Sequence, residues 1–189
     1  MTDRTLSVRG FGLDDLSSVS EVHPAGLMLS YIIRQWRQLV TDTSYEHAHK
    51  DMKLAFKRTV TGLGHGGESG WASLKSDNGF DLFSSPSDQP DQGMRYLHSE
   101  CAQAIGIRCA NGRFGFTTSG LIGLFPAVAQ AGDEVCIFEG CAQCYVLRRK
   151  TRQETYEFVG ECYVHGVMHG EALTDKYPQH KSSVWFDII

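Results

Sequence analysis

The segment His165-Gly166-Val167-Met168-His169-Gly170-Glu171, with Glu161 just before it, gathers two imidazoles and two carboxylates in a short stretch of chain. An imidazole beside a carboxylate is a workable proton-transfer pair near neutral pH, because imidazole titrates there. If the segment is extended, His165 and His169 share a face through the two-residue alternation of strands; if it is helical, the four-residue spacing also brings them together. In that chemistry His165 is the acid or base, Glu161 or Glu171 the carboxylate that orients it, and His169 or His65 a second proton-transfer group. The plainer reading is that His165 and Glu161 satisfy backbone groups around a glycine-rich turn. A zinc site of His165, His169 and a carboxylate fits poorly: the histidine-type zincin motif needs a Glu next to the first His on a helix, and glycines interrupt this one.

Cys141-Ala142-Gln143-Cys144 is the one Cys-x-x-Cys. Structural zinc usually takes two such pairs, and a redox pair usually opens a helix, whereas this pair falls between two strand-like runs. Gly62-Leu63-Gly64-His65-Gly66-Gly67 formally matches a dinucleotide fingerprint. It follows a helix, and the motif needs a strand before it and a helix after it to aim amides at a pyrophosphate. His65 is therefore read as a mobile general base on a loop. The chain has no phosphate-loop Lys-Ser/Thr and no Gly-x-Ser-x-Gly elbow, so no cofactor and no metal is expected.

The elements that must position these groups are legible in the periodicity. Leu6 to Val22 reads as a short strand, then a turn or helix start at Asp14-Asp15, before His23-Pro24 breaks the chain. Leu29, Ile32, Ile33, Trp36 and Val40 recur at helical spacing and predict a helix over Leu27–Val40. Thr43-Ser44-Tyr45-Glu46 fits a capping box, so a second helix is expected there, with Ala48, Met52, Ala55, Phe56 and Val60 on its buried face. Gly62 to Gln92, rich in Gly, Ser, Asp and Pro, reads as a long loop with the character of a lid. A third helix is expected over Gln92–Ile107.

After the turn dipeptide Asn111-Gly112 the texture changes to short β-branched and aromatic runs: 114–118, 121–124, 134–138, 144–149, 156–165 and 184–188. The fold expected is α+β, with N-terminal helices packed on a C-terminal antiparallel β-meander or small barrel. It is read as a single domain over 1–189, mainly helical to residue 110 and mainly antiparallel β from 111. Trp36, Trp71 and Trp185 are expected as core or lid anchors.

Eighteen basic and 22 acidic residues give a formal charge of -4, and no basic stripe fits a phosphate backbone, which argues against nucleic acid as a partner. No apolar run has the length of a signal peptide or membrane span, so a cytoplasmic address without membrane contact is expected. Six cysteines in a reducing compartment are expected to stay thiols.

Four ordered runs carry a resemblance: Arg113 to Pro126, Ala131-Gly132-Asp133 through Gly140, Tyr145-Val146-Leu147-Arg148, and Tyr156 to Ala172. Together they resemble the region downstream of the HET domain in fungal heterokaryon-incompatibility proteins. Val8-Arg9-Gly10 and Ala55-Phe56-Lys57-Arg58-Thr59 extend the likeness through the first half. In that family a signalling domain related to TIR-like folds precedes this region, and the resemblance implies that the chain starts after it. The sequence departs from the family where His169 stands in an acidic position and Cys144-Tyr145 where Pro-Phe is common. A copy free of the signalling domain that keeps its polar turn and long Gly-rich lid leads to the expectation of a small-molecule-binding protein acting as a cofactor-independent acid/base enzyme, an isomerase or cyclase of fungal specialised metabolism. The alternative is a non-enzymatic interaction module in non-self recognition or regulation. The partner expected is a small-molecule substrate or ligand, with homo-oligomerisation open.

Overall fold

The structure, a computed structural model, describes residues 5–23, 29–41, 51–61, 100–150 and 154–189. It divides into two compact units, one made of Met1–Glu21 with Arg113–Ile189 and the other of Val22–Gly112. His65, Trp71, the capping box at 43–46 and the expected lid at 62–92 lie outside the described residues.

In the second unit, helix α1 (Leu29–Thr41) buries Ile33, Trp36 and Val40, the stripe expected from their spacing. Helix α2 (Met52–Thr61) buries Ala55, Phe56 and Val60. Its N-terminus is capped by Asp51, whose carboxylate accepts the Leu54 amide at 3.0 Å. The chain is not helical at Asp51, so one helix running on from Thr43 is not what forms. Helix α3 (Glu100–Cys109) buries Ile105 and Cys109, and the Cys109 thiol points at the Val60 carbonyl. Among the described residues no helix is long and apolar enough to cross a membrane.

The first unit is a β-barrel. Its strands are β1 (Leu6–Val19), β2 (Gly112–Thr117), β3 (Ile122–Pro126), β4 (Glu134–Phe138), β5 (Cys144–Lys150), β6 (Thr155–Val164) and β7 (Val184–Ile188). They lie in the order β2-β3-β6-β5-β4-β1-β7, and a further β1–β2 pairing closes the first six into a ring. This is not a simple C-terminal meander: β3 neighbours β6, and β1 comes from the chain's start. The strand expected to end before Asp14 continues to Val19. Its register shifts between Gly12 and Asp14 where it follows β4, and between Leu16 and Ser18 where it follows β2. Such bulges bend a strand so that it can serve two neighbours. The two carboxylates sit at that bend, where Asp14 accepts the backbone amide of Ser119 at 2.9 Å and its hydroxyl as well.

β7 is anchored by alternation. Phe186 and Ile188 point into a cluster with Cys136, Phe138, Leu147 and Tyr156, where the Phe138 and Tyr145 rings stack at 4.7 Å. Trp185 therefore points outward and is 67% exposed, so it is not the core anchor expected.

Among the described residues one carboxylate is wholly inside. The carboxylate of Asp133 is 1% exposed, and Arg148 meets it side-on, with Nε–Oδ1 2.8 Å and Nη2–Oδ2 2.9 Å. The same carboxylate accepts the Gln130 amide, and Arg148 also donates to the Val128 carbonyl. The backbone around it is tied to β1: the Leu16 amide donates to the Asp133 carbonyl and the Gly132 amide to the Leu16 carbonyl, both 2.8 Å. Removing one member of a buried pair strands the other. Asp133→Ala should cost about 3–5 kcal/mol, whereas Asp133→Leu combined with Arg148→Met should cost less than Asp133→Ala alone. Urea unfolding of the two variants against the parent checks this, and a loss in the double variant as large as that of Asp133→Ala would contradict it.

Candidate functional site

At the end of the β4–β5 hairpin away from Asp133, the chain turns through residues 139–143. Gly140 adopts φ +80, a left-handed conformation that glycine takes without steric cost, and the Cys141 amide closes the turn on the Phe138 carbonyl at 3.1 Å. This turn forms one wall of a groove of about 450 Å³. The opposite wall is Val167, Met168, Gly170, Ala172 and Leu173, from the loop after β6 and the short 3-10 helix Glu171–Leu173. Phe11, Ile137, Phe138 and Cys144 make its floor. The volume lies within the range of small-ligand pockets, and the lining is mostly apolar, as such pockets usually are.

The polar turn singled out in the sequence thus builds a wall, but through different residues. Residues 165–170 form turns, with Gly166 at φ +85 and Gly170 at φ +89, so neither the strand nor the helix rule for aligning His165 with His169 applies. Val167 and Met168 face the groove. His165 is half-buried: its amide donates to the Ile122 carbonyl at 2.9 Å, and its Nδ1 lies 3.4 Å from the Tyr163 hydroxyl. Glu161 is exposed on β6 opposite Tyr145. His169 is exposed, and it is its backbone amide, not its ring, that donates to the Glu171 carboxylate, at 2.6 Å. None of His165, His169, Glu161 and Glu171 lines the groove. Among the described residues no cluster of three or more His, Cys, Asp or Glu is placed to hold a metal ion.

The groove's polar groups come from the Cys-x-x-Cys hairpin, which sequence spacing placed between strands without marking it as a wall. Glu139 is half exposed at the rim, where its Oε1 accepts the Ser183 hydroxyl at 2.6 Å and lies 3.4 Å from Arg9 Nε. Gln143 and Cys141 are also exposed along the rim. The Cys141 thiol beside the Tyr145 phenol, followed by burial, lifts it to about 12.

The other described thiols lie inside. Cys144 and Cys162 face each other across β5 and β6, and Cys136 lies in the neighbouring strand. Burial pushes Cys109 and Cys144 up to about 12 and raises Cys136 and Cys162 from the ordinary 9.0 as well. Since the thiolate is the nucleophile, these groups are inert near neutral pH. In a Cys101→Ser background, N-ethylmaleimide at pH 7 should add once, at Cys141. Adducts at Cys144 or Cys162 in the folded protein, read by peptide mass mapping, would contradict this burial.

A family model described as the Het-6 beta-barrel domain matches residues 34–181. The matched stretch covers β2 to β6 and both groove walls, while β1 and β7 lie outside it. Over 70 residues, 35% of this chain, the sequence is 36% identical to heterokaryon incompatibility protein 6, OR allele, of Neurospora crassa. The match spans 10% of that protein's length. No solved structure matches.

Proposed function

This chain belongs to the Het-6 β-barrel domain family, and from that premise we propose that it is a non-enzymatic recognition module whose binding site is the groove between residues 139–143 and 167–173. The observation that supports the reading is the groove's lining, which is mostly apolar and thiol-bearing, with four of the five expected acid/base side chains absent from it and the fifth, His65, outside the described residues. General acid/base chemistry needs the group within hydrogen-bond reach of the proton it moves. Met168 and Leu173 offer contact area instead, and the buried Val167 and Ala172 hold their positions. The name of the Neurospora crassa relative supports a setting in fungal non-self recognition or its regulation.

The isomerase or cyclase expectation turns on His165, and the two readings separate cleanly by mutation. Leu173 is 60% exposed at the groove edge, so Leu173→Arg blocks the groove without disturbing the core. In a fungal strain carrying the gene, heterokaryon viability and metabolite profile are compared for wild type, Leu173→Arg and His165→Ala. We expect Leu173→Arg to behave as a deletion and His165→Ala as wild type. Loss of a metabolite on His165→Ala, with its precursor accumulating, would overturn the recognition reading in favour of catalysis.

A further inference from the structure

The lining and the charges at the mouth define what fits the groove, and we propose that its occupant is a neutral amphiphilic small molecule, an apolar chain or ring carrying one hydroxyl or amide head. This rests on the groove being the recognition site. Its size sets the body of the ligand: at about 30 Å³ per water-sized group, 450 Å³ takes about fifteen such groups. Met168, Ile137 and Leu173 present apolar atoms to that body, which gain by being covered, over a base of the buried Phe11, Val167 and Ala172.

The head is set by the rim. Among the described residues Glu139 is the one charged residue lining the groove, and Arg9 Nε stands 3.4 Å from its Oε1. The pair leaves the mouth close to electrically neutral, so neither an ammonium nor a carboxylate head finds an unbalanced partner, and either would lose hydration on entry. Hydrogen-bonding capacity remains. Both contacts of Glu139 fall on Oε1, leaving Oε2 as an acceptor. The Gln143 amide, on the same rim and without a hydrogen-bond partner among the described residues, offers a donor and an acceptor. A hydroxyl or amide can donate to Oε2 and accept from Gln143, and an alkyl tail then fills the apolar floor.

Cys141 on the rim is a built-in reporter, because a seated ligand shields its thiol from alkylation. The test uses the full chain in the Cys101→Ser background and a probe series of one tail with three heads: 1-octanol, octanoate and octylammonium. The rate of N-ethylmaleimide addition at Cys141 is followed at pH 7. Octanol should protect Cys141 at about tenfold lower concentration than either ion, and Leu173→Arg should abolish the protection while leaving the circular dichroism unchanged. Glu139→Gln leaves the Arg9 charge unbalanced, so in that variant octanoate should become the best of the three. Tightest binding of octylammonium or octanoate to the unaltered rim would overturn the neutral-head assignment, and so would protection that survives Leu173→Arg. If no probe protects Cys141 while Leu173→Arg still abolishes the heterokaryon phenotype, the small-molecule proposal fails and the groove reading stands, with side chains of a partner polypeptide as its occupant.

Discussion

A carboxylate with no access to water must be paired or it will not stay charged, and the barrel is arranged around satisfying one such group. Asp133 accepts from Nε and Nη2 along one edge of the Arg148 guanidinium and from the Gln130 amide, so its oxygens are met by fixed donors. Because Arg148 also holds the Val128 carbonyl, the connection from β3 to β4 is folded against β5. The backbone on either side of the carboxylate bonds Leu16, which fixes where β1 changes neighbours. One satisfied ion pair therefore sets the β4–β5 hairpin and the strand that closes the ring.

The groove inherits its shape from this lock. Asp133 stands at one end of the hairpin and the 139–143 turn at the other, so the turn's position follows from a rigid pair of strands rather than from its own contacts. β1 supplies Phe11 to the floor and Arg9 to the rim, from the half of the strand that lies between β4 and β7. The second wall is held separately: Val167 and Ala172 are buried, and the Val164 amide reaches the Met168 sulfur at 3.5 Å. Two walls built from distant parts of the chain thus meet over a floor that the barrel provides, which is how a small domain presents a concave site.

Much of the barrel was legible in the sequence. The runs at 134–138 and 184–188 match β4 and β7 residue for residue, because β-branched and aromatic residues bounded by turn formers leave little choice. Asn111, expected in a turn, takes φ +55. The reach of β1 was hidden, since paired aspartates usually mark a turn and only the tertiary partner Ser119 explains Asp14 within a strand. The site was half legible. Composition flagged residues 165–171, but which side chains face the groove depends on the left-handed glycines there and not on any period in the sequence. The opposing wall carried a thiol motif whose spacing speaks of metals and redox pairs, while its structural role is to shape a rim.

The central claim is that β1 closes the barrel and stays closed, so that the groove exists as a fixed feature of the folded protein. Native-state hydrogen exchange tests it most directly through the amides of Leu16 and Gly132, which tie β1 to the Asp133 turn. The account predicts that both exchange only through global unfolding, at the same free energy as Val146 in the β4–β5–β6 core. Exchange of Leu16 and Gly132 at a much lower free energy, with Val146 still protected, would mean that β1 detaches on its own, and the groove would then lose its floor.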